Sequence, residues 1–410
     1  MTWQPNPRVV IGGRDYTGDT VGRVSAQRGR RDVDSAASAA SAQVTLRDAD
    51  GKGFEVRVGE PLELWLDDSS GTSVQVFGGQ VQELSLSTVA IGGGDALVVW
   101  QVSASGPFAR LNRRSVLAGG RPAENDGERV AAAISAGLGV AWEEYSASQT
   151  WAQVNGATTW QTLDPGFDAT LIDAGVYGLA ALGSADAGYG PLSVAQDAAF
   201  SARGVLYETR DGFIGYADAN RRQTAGAGTA LEIPTSTLSQ SGLGFRQILT
   251  SLVNRATVAY SGGAVTVSDD DSVREYGVWQ TELTTQLATL ASGSAVAAEI
   301  VNDRASPAFE VDEVQVQMVR AGDGLRDALL EVEPNDYVRI TGMPGGLPTD
   351  DLLGFVESVG WSSDEFTTLL TLGVSDAVLS IGAVRWSAVG TAVTWASIGT
   401  AVKWPDARSL

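Results

Sequence analysis

The sequence predicts a mainly β fold of α+β character. Two barrel-like β domains flank a mixed middle domain, and a tryptophan-rich β segment ends the chain. Three observations carry this. Short apolar runs separated by turn residues fill residues 8–110. Helical periodicity is confined to a middle stretch and one later run. The strand pattern then returns and holds to residue 376. The 410 residues suffice for two to four domains. The expected division is 1–115 (N-terminal β-barrel-like), 116–244 (mixed α/β), 245–376 (second β-barrel-like, with one long helix) and 377–410 (Trp-repeat meander).

The N-terminal strands are expected at Arg8–Ile11, Ala42–Leu46, Leu62–Leu66, Val74–Phe77, Gln80–Leu86 and Ala96–Ser103. Gly12-Gly13, Asp50-Gly51, Gly78-Gly79 and Gly92-Gly93-Gly94 punctuate them, a spacing that suits a small antiparallel barrel or sandwich. The small-residue tract Ser35–Ala42 reads as a loop. Asn125-Asp126 caps a helix in which Val130, Ile134 and Leu138 recur. A second helix runs from Pro191, suited to a first helical position, to Arg203, with Gly204 as its stop. Val205–Glu208 and Phe213–Ala217 form a hairpin around Asp211-Gly212. Residues 225–240 read as a linker. Strands return at Ala256–Tyr260 and Ala264–Val267. A long helix is expected over Thr284–Asp303, and strands at Val311–Val319, Tyr337–Thr341, Leu353–Val359 and Thr367–Leu372.

Composition excludes several chemistries. There is no cysteine and no histidine. Disulfides, thiolate metal sites, cysteine nucleophiles and the Ser-His-Asp triad are therefore absent. Lysine occurs only at Lys52 and Lys403. No run approaches the ~18 apolar residues of a membrane span, and the first residues carry no secretory signal pattern. The net charge of −21 opposes tight nucleic-acid binding, which needs clustered Lys and Arg. The N-terminal stretch departs from this trend. Arg8, Arg14, Arg23, Arg28, Arg30 and Arg31 face only Asp15 and Asp19. They read either as a solvated arm or as a docking surface for an acidic partner.

Residues 254–376 resemble the closing domain of bacteriophage tail hub and minor tail proteins. The resemblance rests on Asn254–Tyr260 (NRATVAY), Asp271–Gly277 (DSVREYG), Asn335–Thr341 (NDYVRIT) and Gly354–Trp361 (GFVESVGW). The opening domain is similar to the same family through Gly29–Asp32 (GRRD), Val44–Leu46 (VTL), Phe77–Val81 (FGGQV) and Leu111–Val116 (LNRRSV). The middle adds Gly204–Gly212 (GVLYETRDG). The resemblance covers most of residues 1–376. It implies a baseplate-hub-like, siphophage tail-tip protein: two related barrels around the tail axis, usually a homotrimer, joining tail tube to distal tail and tip proteins, with DNA passing through the lumen without specific binding. It implies a place in the virion tail tip, assembly in the host cytoplasm, no cofactor and no enzymatic role. Some members carry a lytic or peptidase domain after the hub; residues 377–410 are too few for one.

A nine-residue tryptophan spacing occurs twice, at Trp142, Trp151 and Trp160 and at Trp386, Trp395 and Trp404. In an unbroken strand or helix, nine residues send successive tryptophans to opposite faces. A two-residue turn at Asn155-Gly156 instead pairs Trp151 with Trp160 across a hairpin. Gly390-Thr391 and Gly399-Thr400 permit the same construction, so Trp386, Trp395 and Trp404 form a row across a three-stranded meander. The competing geometry is a nine-residue solenoid coil. Such rows serve local stability, docking of the next tail-tip protein, or sugar binding at the host surface. The last makes a receptor-binding tail protein the alternative function.

Other candidates are weaker. Asp269-Asp270-Asp271 lacks the ligand spacing and distal Glu of a calcium loop and reads as a solvated turn. Glu143-Glu144 are adjacent on a strand and point apart, a poor glycosidase pair. Gly92-Gly93-Gly94 lacks the Lys and Ser/Thr of a phosphate loop. An acidic lumen that lets DNA slide is the mechanical expectation.

Overall fold

Period-two alternation of buried and exposed residues builds the long strands of this molecule, as in β4 and β5. The computed structural model describes residues 3–48, 53–90, 96–113, 120–138, 167–183, 190–225, 229–247, 251–307, 309–343, 351–364 and 367–376. The first strands are β1 (Arg8–Ile11), β2 (Arg14–Asp15), β3 (Val24–Gly29), β4 (Ser38–Asp48), β5 (Pro61–Asp67), β6 (Ser73–Ala90) and β7 (Ala96–Ser105). The middle contains α1 (Pro107–Arg113), β8 (Glu124–Asn125), α2 (Asp126–Leu138), β9 (Phe167–Ile172), β10 (Gly178–Leu179), α3 (Pro191–Ser201), β11 (Val205–Glu208), β12 (Ile214–Ala217) and α4 (Ala219–Ala225). Then come β13 (Leu231–Pro234), β14 (Leu238–Gln247), β15 (Arg255–Tyr260), β16 (Gly263–Ser268), α5 (Asp270–Tyr276), β17 (Gln280–Thr284) and α6 (Leu290–Arg304). The last elements are β18 (Phe309–Gln317), α7 (Asp323–Leu330), β19 (Tyr337–Thr341), β20 (Leu352–Ser363) and β21 (Thr368–Asp376).

The fold is mainly β, as the sequence predicts, but the described strands close no barrel. Thirteen of them form one sheet in the order β14-β18-β21-β20-β3-β4-β7-β6-β5-β1-β2, with β19 branching from β20 and β13 from β19. The join is β3 on β20, antiparallel, from Val24↔Ser363 to Gly29↔Ser358. Strands from the two ends of the chain therefore share one hydrogen-bonded sheet. Their apolar faces merge into one core that includes Val24, Ala42, Val44 and Val102 from one end and Val314, Val359, Trp361 and Leu372 from the other.

A second core gathers the middle of the chain. Val130 and Ile134 of α2 and Ala195 and Ala198 of α3 pack with Val296, Ala297, Ile300 and Val301 of α6. The small sheet β16-β15-β17 carries α6 through Ala256 and Val258. No helix among the described residues is long and apolar enough to cross a membrane.

Several local expectations are corrected. The Ser35–Ala42 tract is not a loop: β4 begins at Ser38, because its alanines alternate into the core and pair with β3 and β7. Residues 225–240 are not a bare linker, since β13 and β14 take their places in the large sheet. Gly78-Gly79 punctuates nothing. β6 runs through it, and the glycines permit close packing, for a Cβ on Gly79 would stand 2.7 Å from the Phe77 ring and from the Ser105 carbonyl. The helix expected from Thr284 starts at Leu290, with Thr289 accepting the Ser292 N–H. Residues 280–284 are held as a strand by parallel pairing with β15. Asp269 is no idle turn residue: its carboxylate caps α5, accepting the N–H groups of Asp271 and Ser272.

Candidate functional site

The six tryptophans singled out by their spacing, Trp142, Trp151, Trp160, Trp386, Trp395 and Trp404, lie outside the described residues, as do Gly92-Gly93-Gly94 and Glu143-Glu144. The described structure directs attention to the seam between β3 and β20. Three local features build it. Gly29 ends β3 at φ +102, and a Cβ there would stand 2.2 Å from the Glu357 carbonyl oxygen. Only glycine fits that combination of left-handed backbone and contact. The arginines on either side, Arg28 and Arg30, then reach across the seam.

Arg28 is buried. It donates to the Glu333 carboxylate at 2.6 Å and to the Val332 carbonyl at 2.5 Å. Arg30 donates to Glu357 Oε2 at 2.5 Å. From the other side Arg222 of α4 grips both oxygens of Glu357, at 2.7 and 3.1 Å, and donates to Asn335 Oδ1 at 2.5 Å. Ser375 adds a donor at 2.5 Å. Burial alone would raise the Glu357 pKa, but the Arg222 and Arg30 guanidiniums outweigh it and hold the carboxyl well below the ordinary range. One carboxylate thus ties β3, α4, β20 and β21 together. The arginine-rich stretch is no solvated arm at Arg28 and Arg30. Arg8, Arg14 and Arg23 also meet carboxylates of this chain, on Asp15, Glu55 and Asp364.

Two further buried polar ties hold the middle. Glu208, at the end of β11, accepts the N–H groups of Ala40 on β4 and Phe108 on α1. Burial pushes its pKa up to about 7, against those two hydrogen bonds and the field of Arg28. Arg129 of α2 is fully buried. It donates to Glu124 at 3.1 Å, to Gln286 at 2.9 Å and to the carbonyls of Pro122 and Ala180 at 3.0 and 2.6 Å. Each satisfies a charge that would otherwise be costly to bury.

Each seam carboxylate described here is committed to arginine or backbone donors. Among the described residues no group of three His, Cys, Asp or Glu side chains is placed to hold a metal ion. The seam was hidden in the sequence because its partners stand about three hundred residues apart (Arg28 and Glu333 are separated by 305 positions). The available signal was Gly29 between two arginines, a pattern shared by many exposed turns.

No family model and no curated protein matches the chain by sequence. Solved structures do match its fold. The 43 kDa tail protein of prophage MuSo2 from Shewanella oneidensis superposes with a TM-score of 0.57 at 14% identity, covering 92% of this chain and 98% of that one. A tail protein from Neisseria meningitidis superposes with a TM-score of 0.58 at 12% identity, covering 93% of this chain and 99% of that one. At these identities the likeness is one of fold: across nine-tenths of its length this chain shares the fold of two tail proteins, one of them from a prophage.

Proposed function

We propose that this chain is a structural hub of a bacteriophage tail tip, forming a ring around the DNA path and joining the tail tube to the distal tip proteins. The observation that carries the reading is the fold shared end to end with two tail proteins. The seam supports it. A ring subunit under load must pass force between its halves without hinging, and here one hydrogen-bonded sheet with a buried charge ladder spans both. The role is mechanical, and no step of it calls for a catalytic group. Its partners are other copies of the chain, as a homotrimer, and neighbouring tail proteins. DNA passes without specific binding, in keeping with a net charge of −21.

The test is the solution mass of the purified chain by light scattering after size exclusion. About three times the 42.6 kDa chain is expected for a closed cyclic trimer. A single-chain mass at every accessible concentration would sink the ring.

A further inference from the structure

A cavity of about 260 Å³ opens beside the seam, lined by the β3–β4 connection, α3 and Glu299 of α6. Val33, Ala199, Phe200 and Leu206 give it an apolar wall, and Arg30, Arg203 and Arg222 bring three guanidiniums to it. Phe200, in the last turn of α3, is 43% exposed. Arg203 is placed there by the way α3 ends. The N–H groups of Gly204 and Arg203 donate to the carbonyls of Ala199 and Phe200, at 2.9 and 3.2 Å. Those paired bonds close a helix on a left-handed residue, ordinarily glycine. Here that residue is Arg203, at φ +58. The glycine stands one position later, where a Cβ would lie 2.2 Å from the Tyr216 hydroxyl. A larger residue in the left-handed region carries strain, and such strain gathers at binding sites.

The guanidinium held at that strained position is short of partners. The Arg203 side chain is 10% exposed, and among the described residues it meets two carboxylates, Glu299 at 3.6 Å and Asp34 at 3.7 Å. Charge-assisted bonds are shorter, at roughly 2.7–2.9 Å. Asp34 is already engaged, with each oxygen 2.7 Å from Arg304. Burial, against the field of Arg203, pushes the Glu299 pKa up, which weakens it as a counter-ion. Arg30 gives its Nε to Glu357, and among the described residues neither Nη meets an acceptor. Arg222, by contrast, is committed to Glu357 and Asn335. Asp197, the remaining carboxylate of the lining, is solvent-exposed, where water weakens its field.

Two nearly buried guanidiniums thus keep unused donors beside an apolar wall. Phosphate would satisfy the donors and leave the wall bare. A wholly apolar ligand would cover the guanidiniums without supplying an acceptor. A carboxylate on an apolar body satisfies both. The volume is below the roughly 300–1,000 Å³ of drug-sized ligand sites, so the body is no larger than one or two residues.

We infer that this cavity is a binding site for a carboxylate carried on an apolar body the size of a leucine side chain, with Arg203 and Arg30 taking the anion and Phe200, Val33 and Leu206 the body. Two sources present that chemistry: the C-terminal residue of a neighbouring polypeptide, and a free small acid. The site belongs to the single chain and does not depend on the ring proposed above. The test is ligand-observed NMR titration of the purified full chain with N-acetyl-leucine, with N-acetyl-leucinamide and inorganic phosphate as competitors. The acid should bind saturably, and about tenfold more tightly than either competitor. Arg203→Gln, which leaves every bond to Glu357 in place, and Phe200→Ala, at an exposed position, should each weaken binding about tenfold. Asp197→Asn, also exposed, should strengthen it by removing a like charge. Should Arg203→Gln fail to fold, the two exposed variants still decide. Acetylated alanyl-alanyl-leucine binding more tightly than N-acetyl-leucine identifies a chain terminus as the source, and equal affinity identifies a free acid; both support the site. No saturable binding, equal competition by the amide, or unchanged affinity in Phe200→Ala and Asp197→Asn overturns it. Equal competition by phosphate overturns the apolar half of the inference and leaves a plain anion pocket.

Discussion

Asp303 on α6 shows how a single residue sets a property of the fold. It is 8% exposed, and its Oδ2 has no hydrogen-bond partner. Burial first, and then the Glu299 carboxylate one turn away, push its pKa up to about 8, against Arg203 and Arg304. Its folded pKa thus lies above its unfolded one, so the folded state keeps the proton over the interval between them. Stability must then fall as pH rises from about 4 to about 8, and the penalty is absent below that window. Glu208 acts in the same direction up to about 7. Asp303→Asn keeps the shape and removes the titration. The expected result is a higher urea midpoint at the alkaline end, worth about 1–3 kcal/mol, and a flatter pH profile. Identical profiles for parent and variant would refute the assignment. Nothing local in the sequence marks Asp303 as special, because its character comes from the elements packed over it.

At the scale of elements, the seam strand β3 carries the most consequence and was the hardest to read. Its pattern is Val24-Ser25-Ala26-Gln27-Arg28-Gly29, and only Val24 is a strong strand former. Arg28 sits where a solvated charge is the ordinary expectation, yet it is buried against Glu333. The elements recovered from sequence alone had stronger local signals. Pro191 opens α3 where expected, and Asp126 opens α2. The hairpin of β11 and β12 turns through Gly212 at φ +82, a value that favours glycine. The seam makes its own prediction. Glu357→Gln removes the charge that balances Arg30 and Arg222 while preserving shape. Leaving two buried guanidiniums short of a partner should cost about 3–5 kcal/mol in denaturant unfolding. A loss under about 1 kcal/mol, the range of surface pairs, would show that the ladder is not what holds the two halves.

At the scale of the whole molecule, β3 and β20 make the two ends of the chain one mechanical unit. Ala26 and Trp361 are register partners and lie in the same core. They cannot be separated without opening the sheet that both belong to. Native-state hydrogen exchange should give the amides of Val24–Gly29 and of Ser358–Ser363 the same opening free energy, near that of global unfolding. Distinctly weaker protection on one side would mean that the halves open independently and that force is not shared.

By itself the sequence determined the fold class, most of the strands, the helices at α2 and α3, the absence of cysteine and histidine chemistry, and the resemblance to phage tail proteins. All of these follow from short-range pattern or composition, where period, caps and turn residues act within a few positions. Only the tertiary structure decided that the two β regions share one sheet, that Arg28 and Arg30 are internal ties, and which face of each strand is open. Those outcomes depend on pairings between residues about three hundred positions apart, and a period of two marks two faces without saying which one another strand will cover.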